Sequence, residues 1–167
     1  MKIPYVNLKK QYLEEKIELQ KIIHDVLRSG AYVGGNQVVK FEKNISKYCD
    51  KKYCVSLNSG TDALTFALYC LGVKKGDEVI TPPNSFIAST ASIVHLGAKP
   101  VFVDVLDDQN IDPKLIASKI TKKTKIIMPV HLTGRMCKMD KIKEIASKFK
   151  IKIIEDAAQA HGARYKG

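Results

Sequence analysis

The sequence predicts an α/β domain with a largely parallel sheet. The first observation is a change of pattern near Tyr53, after which short apolar runs alternate with stretches of helical spacing. The second is a set of breakers between these stretches, such as Gly72 and the pair Pro82–Pro83. The third is composition: the 167 residues are 45% hydrophobic and 27% charged, which suits one ordinary globular domain.

The chain before the α/β pattern is predicted to be helical. Apolar residues recur on one side of Leu13–Ser29, and Gly30 ends this helix. The loop Tyr32–Asn36 contains two consecutive glycines, and Val38–Tyr48 again shows helical spacing.

Strands and helices alternate along residues 51–167, which we expect to form the α/β domain after a helical segment over residues 1–50. This alternation is typical of a parallel sheet, and right-handed crossovers place helices on both of its faces. Ligands of such sheets bind beyond the carboxyl ends of the strands. The predicted strands are Tyr53–Leu57, Glu78–Thr81, Pro100–Val105, Lys125–Val130 and Ile151–Glu155. The predicted helices are Thr61–Leu71, Phe86–Leu96, Pro113–Ile120 and Met139–Phe149.

The formal net charge of +11 comes mainly from lysine. Only Arg28, Arg135 and Arg164 are arginines. Lysine suits a hydrated surface, whereas arginine forks recognise phosphates and bases. Because no aromatic-rich basic patch accompanies the charge, we expect a solvated lysine-rich face and no nucleic-acid partner.

Cysteine usage and the first residues predict a cytoplasmic protein. The cysteines Cys49, Cys54, Cys70 and Cys137 form no C-x-x-C pair, and no histidine lies at metal-finger spacing from them. Free thiols in a reducing compartment, without a metal site, are the simplest expectation. Met1–Lys10 lacks the apolar run of a signal peptide, and no stretch is long and apolar enough to span a bilayer, so no membrane partner is expected.

Small polar residues lie between the first predicted strand and the helix that follows it. In Asn58–Leu64, exposed N–H groups at the helix start and the hydroxyls of Ser59 and Thr61 could hold a phosphate. The alternative is that Ser59 or Thr61 simply caps the helix. The segment is neither a Walker loop nor a G-x-G-x-x-G fingerprint.

Two further strand ends supply an aromatic ring and a carboxylate. Phe86 follows Pro82–Pro83 at a helix start and could stack on an aromatic ligand, or it could be an ordinary core residue. Asp156 follows an apolar strand and should be partly buried, so it needs a partner, for which a protonated pyridine nitrogen is well suited. The alternative for Asp156 is a helix N-cap. Pyridoxal phosphate (PLP) requires a site for its phosphate, an aromatic ring for stacking and an acidic partner for its ring nitrogen. These strand ends would place all three at one edge of the sheet.

Two histidines near these strand ends are interpreted as structural. His131 could face the site or simply hydrogen-bond within its loop, and we favour the structural role because nothing in its neighbourhood indicates proton transfer. His161 is expected to be a satisfied polar residue, since no second histidine, cysteine or aspartate around it indicates a metal.

Several motifs occur together in a fixed order, and the set is highly specific although each motif alone is not. They are Ile3–Leu8, Asn58–Leu64, Gly76–Pro82, Phe102–Val105, Asn110–Pro113, Pro129–Leu132 and Ile154–Gly162. With this set, the chain from Ile3 to Gly167 resembles the N-terminal part of the DegT/StrS family of PLP-dependent sugar aminotransferases.

The resemblance implies a fold and a cofactor site. The fold would be the fold-type I, aspartate-aminotransferase-like large domain, truncated before its later strands. Gly60 and Thr61 would hold the PLP phosphate, and Phe86 would stack on the pyridine ring. Asp156 would pair with the ring nitrogen, and Gln159 would contact the ring hydroxyl.

The resemblance also implies a reaction. Members of the family move an amino group from a donor, typically glutamate, to a keto group on a nucleotide-linked sugar, as part of amino-sugar and surface-polysaccharide biosynthesis. They work as homodimers with sites at the subunit interface.

The lysine that forms the Schiff base in this family is expected beyond Gly167, because Lys166 is too close to Asp156 to match it. No catalytic lysine is therefore expected within the sequence, and the small C-terminal domain is expected to be absent from it. Two other hypotheses stay open. One is a non-catalytic remnant that binds PLP, a nucleotide sugar or a partner subunit, and the other is a dehydrase of the same family in which a histidine replaces the lysine.

Overall fold

The computed structural model describes residues 4–167. Ile3, the first residue of the opening motif, lies outside the described residues. The chain divides into two compact units, one ending at Ser56 and the other comprising Leu57–Gly167.

The first unit contains two helices, α1 (Leu8–Ser29) and α2 (Asn36–Tyr48). Helix α1 begins before the predicted Leu13 because the side chain of Asn7 accepts a hydrogen bond from the Lys10 amide and caps it. It ends as predicted at Gly30, whose φ of 68° is left-handed and whose N–H bonds to Leu27 O. Over residues 4–167, we find no helix with the length and apolarity that a membrane crossing requires.

The second unit alternates helices and strands. Its helices are α3 (Gly60–Cys70), α4 (Ile87–His95), α5 (Pro113–Lys119) and α6 (Met139–Phe149). Its strands are β1 (Glu78–Thr81), β2 (Lys99–Phe102), β3 (Thr124–Ile127) and β4 (Lys152–Ile153). The strands form one parallel sheet in the order β2-β1-β3-β4, which confirms the predicted fold class.

Helices cover both faces of this sheet. Successive residues of a strand point to opposite faces, so Val79 and Ile80 of β1 belong to different core clusters. The Val79 cluster contains Leu64, Leu68, Val73, Ile93, Ala98, Ile126 and Met128 and packs α3 and α4 on the sheet. The Ile80 cluster contains Val103, Ile111, Ile116, Ile127, Cys137, Met139, Ile142 and Ala146 and packs α5 and α6 on the other face.

A crevice is expected where β1 and β3 lie side by side. The chain leaves β1 toward α4 on one face and leaves β3 toward α6 on the other. Because the two connections diverge, the carboxyl ends of these strands form the topological switch point at which parallel sheets bind ligands.

The predicted strand Tyr53–Leu57 was wrong. Tyr53 and Val55 are exposed, and within residues 4–167 the segment pairs with no strand. The N–H of Ser56 donates instead to the Glu42 carboxylate, at 2.7 Å. Alternating apolar side chains indicate extended backbone, but a strand also needs a neighbour for its N–H and C=O groups.

Three other strands are shorter than predicted, because regular pairing stops before the extended backbone does. Beyond β2, Val105 forms only an isolated antiparallel bridge with Ile111. Beyond β3 and β4, Val130 and Asp156 form an isolated parallel bridge with each other. Beyond the regular strands, these isolated bridges and further backbone hydrogen bonds, such as that from Ile154 N to Ile127 O, hold the extended backbone in place.

Candidate functional site

The start of α3 presents unpaired amide groups. Ser59 is the N-cap, and its Oγ accepts a hydrogen bond from the Asp62 amide at 3.1 Å, so the capping interpretation is confirmed for Ser59. Its carbonyl accepts from Ala63 N. Within the described part of the chain, the amides of Gly60 and Thr61 have no such partner. These two N–H groups are left for solvent or a ligand.

The space around Gly60 is open. A Cβ atom built on Gly60 would meet no heavy atom within 4 Å, and the residue is exposed. An anion can therefore approach the backbone of the first helical turn closely. This geometry is what a phosphate-binding helix start requires.

Phe86 stands at the N-cap position of α4 with its ring in solvent. Its exposure is 72%, so the alternative of an ordinary core residue was wrong. The residues of α4 that are buried are Ser89, Ser92 and Ile93, and Phe86 precedes the helical turns that carry them. The phenyl ring is thus available for stacking at the end of the loop that follows β1.

Asp156 is buried, and each of its carboxylate oxygens accepts a hydrogen bond. It is 8% exposed; Ser89 Oγ donates to Oδ2 at 2.8 Å and the Ala158 amide donates to Oδ1 at 3.2 Å. The N-cap alternative was wrong, since turns rather than a helix follow Asp156. The backbone of Asp156 is fixed as well, because its carbonyl accepts from His131 N and its amide donates to Pro129 O, both at 3.0 Å.

Gln159 is oriented by the loop after β3. The Thr133 amide donates to Gln159 Oε1 at 2.7 Å, so the side-chain NH₂ group is the part of Gln159 that can face a ligand. Thr133 has a left-handed φ of 54°, and Gly134, which follows it, has a φ of 86°. This strained turn aims a backbone donor at Gln159.

His131 is structural, as predicted from the sequence. Its side chain is buried, the Cys137 amide donates to Nδ1 at 3.2 Å, and Nε2 lies 3.0 Å from Glu155 Oε2. Because Nδ1 accepts, the ring proton is on Nε2, which donates to Glu155. His161 is exposed in the turn after Gln159, and its predicted hydrogen bonding stays a prediction.

The thiol of Cys137 is buried and unreactive. Its Sγ donates to Val130 O at 3.2 Å. Burial raises the pKa of the Cys137 thiol to about 12, with a further rise from the negative charge of Asp108. All four cysteines are free, as expected from their spacing, and Cys137 is not a candidate nucleophile.

Hydrogen bonds join the connections that follow β1, β3 and β4 at this sheet edge. Ser89 in α4, after β1, bonds to Asp156 after β4, and Thr133 after β3 bonds to Gln159. The start of α3 is linked to them through packing of α3 against α4. Sequence reasoning missed Ser89 and Thr133; the signal for Ser89 was a serine within an apolar helical stretch, three residues after Phe86.

Comparison with known proteins identifies the family of the chain. Residues 13–167 match the DegT/DnrJ/EryC1/StrS aminotransferase family. The dTDP-3-amino-3,6-dideoxy-alpha-D-galactopyranose transaminase of Aneurinibacillus thermoaerophilus is 45% identical over 166 residues, which are 99% of this chain and 46% of that protein. The UDP-2-acetamido-2-deoxy-3-oxo-D-glucuronate aminotransferase of Pseudomonas aeruginosa is 44% identical over 167 residues, with the same two shares.

A solved structure has the same fold. The crystal structure of ntda from Bacillus subtilis with bound cofactor PMP superposes with a TM-score of 0.93 at 38% identity, covering 96% of this chain and 38% of that one. The chain thus spans less than half the length of these relatives. It belongs to the DegT/DnrJ/EryC1/StrS aminotransferase family.

Proposed function

We propose that the protein is a PLP-dependent aminotransferase that transfers an amino group from a donor such as glutamate to the keto group of a nucleotide-linked sugar. The observation that carries this proposal is Asp156, a buried carboxylate at the switch-point edge of the sheet in a chain of an aminotransferase family. Such a carboxylate is a suitable partner for the protonated nitrogen of a pyridine ring.

The described residues suit the phosphate, the pyridine ring and the ring oxygen of PLP. The free amides of Gly60 and Thr61 suit the phosphate, and the open space at Gly60 admits it. The exposed ring of Phe86 suits the pyridine face, and the NH₂ group of Gln159 suits the ring oxygen as a hydrogen-bond donor. When bound, PLP supplies the electron sink that transamination needs.

Asp156 keeps the ring nitrogen protonated in this proposal. Its carboxylate is held by two donors, Ser89 Oγ and Ala158 N, so it meets the ring in one fixed orientation. An ion pair in a partly dry site is stronger than one in water, which favours the cationic ring. The other residues bind and orient the cofactor rather than move protons.

The sugar substrate is proposed to contact the loop Tyr32–Asn36. This loop lines a cavity of about 340 Å³ in the first unit, together with residues such as Asp25 and Lys40. The two aminotransferases named above have a dTDP-linked and a UDP-linked sugar in their names. We therefore propose a nucleotide-linked sugar as the substrate and do not specify its base. Amino-sugar biosynthesis in the cytoplasm is the corresponding role.

A homodimer is part of the proposal. Helix α1 contains no buried residue, and apolar side chains such as Leu13, Ile17 and Ile23 are exposed on it. Surfaces of this kind are typical of protein interfaces. The Schiff-base lysine is proposed to follow the segment that contains Asp156 and Gln159.

Isotope transfer tests the proposal. The protein as its gene encodes it is incubated with PLP, nucleotide-linked keto sugars and glutamate carrying labelled amino nitrogen, and the products are analysed by mass spectrometry. Appearance of the label in the sugar, with release of 2-oxoglutarate, is expected. A sugar that loses a hydroxyl without gaining nitrogen would support the dehydrase hypothesis instead, and PLP binding without turnover would support the non-catalytic remnant.

A further inference from the structure

Ser89 is a buried polar residue of helix α4. It lies one turn into α4, three residues after Phe86, and is 1% exposed. A buried hydroxyl costs free energy unless it is hydrogen-bonded. Ser89 Oγ meets this requirement by donating to Asp156 Oδ2 at 2.8 Å, across 67 positions of sequence.

The Ser89 hydroxyl donates one hydrogen bond and accepts another. Ser85 Oγ lies 2.5 Å from Ser89 Oγ, and either atom could donate on distance alone. A serine hydroxyl has one hydrogen, and an ionised carboxylate only accepts. Ser89 therefore gives its hydrogen to Asp156. Ser85 Oγ lies 3.2 Å from a second acceptor, Phe86 O, and its shorter contact is with Ser89, to which we assign its hydrogen. This second bond polarises the Ser89 hydroxyl and strengthens its donation to the carboxylate.

The Ser89 contact fixes the plane of the Asp156 carboxylate. With Ala158 N donating to Oδ1 and Ser89 Oγ donating to Oδ2, neither oxygen can rotate without losing a bond. The Ser89 amide also donates to Phe86 O at 3.1 Å, in the first turn of α4. Ser89 thus joins the residue whose ring would stack on the cofactor to the carboxylate that would pair with it.

We propose that Ser89 is a positioning residue of the cofactor site, which holds the Asp156 carboxylate in the orientation that receives the ring nitrogen, with Ser85 supporting it. This inference rests on the proposed function, since it takes Asp156 as the partner of the ring nitrogen. Ser89 touches the carboxylate and not the cofactor.

The test uses Ser89→Ala in the protein as its gene encodes it, with pyridoxamine phosphate as the probe because it binds without a lysine bond. Affinity is measured by calorimetry. The state of the ring nitrogen is read from the nitrogen NMR signal of isotope-labelled probe. Ser92→Ala is the matched control: Ser92 is also buried in α4, but its hydroxyl donates to the Ser89 carbonyl and not to Asp156. Asp156→Asn serves as the reference for loss of the ion pair.

We expect Ser89→Ala to weaken binding about tenfold, as loss of one hydrogen bond to a charged group does, and to move the ring-nitrogen signal toward that of Asp156→Asn. Ser92→Ala should leave both unchanged. A purely structural role would lower stability and affinity without moving the signal of the probe that still binds. If Ser89→Ala folds poorly, Ser89→Cys is used instead, because a thiol is a weak donor. It must shift the ring-nitrogen signal in the same direction.

Two results would overturn different claims. Suppose that Ser89→Ala, or Ser89→Cys in its place, leaves the probe affinity and the ring-nitrogen signal unchanged, while Asp156→Asn shifts that signal. Ser89 then has no positioning role, and the proposed site stands. If Asp156→Asn itself leaves affinity and signal unchanged, the assignment of Asp156 to the ring nitrogen fails, and the proposed function loses its main support.

Discussion

Replacing Gly60 by alanine should stabilise the fold and weaken cofactor binding. Gly60 is the first residue of α3, its φ is not positive, and a Cβ there meets no heavy atom within 4 Å. Alanine therefore adds no strain to the folded chain, while it restricts the unfolded chain. The same methyl group would occupy the space through which we propose the cofactor phosphate approaches the Gly60 and Thr61 amides.

The two effects can be estimated separately. A compatible glycine-to-alanine change stabilises by about 0.4–1 kcal/mol. For a chain of this size that corresponds to a rise in melting temperature of about 1–4 °C. Displacing the phosphate from one charge-assisted hydrogen bond costs about 1.5–3 kcal/mol, or roughly a ten- to hundredfold loss of affinity.

Thermal denaturation without cofactor and calorimetric titration with PLP measure these effects on the same preparation. Ala63→Gly, an exposed change in the same helix, is the control, and it should lower stability by up to about 1 kcal/mol without affecting affinity. Unchanged affinity in Gly60→Ala would refute a phosphate at the start of α3. A lower melting temperature would refute the reasoning from open space.

Three further predictions concern packing and titration. Leu68→Ala should destabilise the protein by about 2–5 kcal/mol in chemical denaturation, because Leu68 is fully buried between α3 and the sheet; a loss below about 1 kcal/mol would contradict that packing. Iodoacetamide at pH 8 should modify the exposed Cys70 and spare Cys137, whose thiol pKa burial raises to about 12; early labelling of Cys137 in native protein, read by mass spectrometry, would contradict its burial. Hydrogen bonds from the Tyr165 hydroxyl and then from Lys166 lower the pKa of the Asp140 carboxyl, so this contact stabilises the fold above about pH 4 and is lost as pH falls through the lowered value. Replacing Tyr165 by phenylalanine should raise the Asp140 pKa toward its ordinary range in an NMR titration, and an unchanged titration would mean that the hydroxyl is not the main cause.

The elements bounded by strong local signals could be predicted closely from the sequence. Strand β1 and helix α6 begin and end at the predicted residues. Pro82–Pro83 follows β1 and ends it, and α6 has clear apolar periodicity. The sheet type followed as well, because alternation of strands and helices leaves few topologies besides a parallel sheet.

The remaining errors concern partners that are distant in sequence. Tyr53–Leu57 has the side-chain alternation of a strand, but pairing depends on a neighbour that local sequence does not reveal. The Ser89 contact likewise depends on a residue 67 positions away. The left-handed Thr133 gave no signal, since threonine rarely adopts that conformation and the reason for it lies in the Gln159 side chain.

Strand β4 is short, and its local unfolding affects the fraction of molecules in which the binding site is formed. Lys152 and Ile153 are in register with β3. Beyond them, the Ile154 amide donates to Ile127 O, and the Asp156 backbone bonds to Pro129 and His131. A strand tied at so few points opens by local unfolding more easily than the centre of a sheet does. Each opening would move the Asp156 carboxylate away from Ser89 in α4 and disrupt the binding site. A ligand that binds only the closed form draws this equilibrium toward closure, so hydrogen exchange in β4 should slow when cofactor is bound.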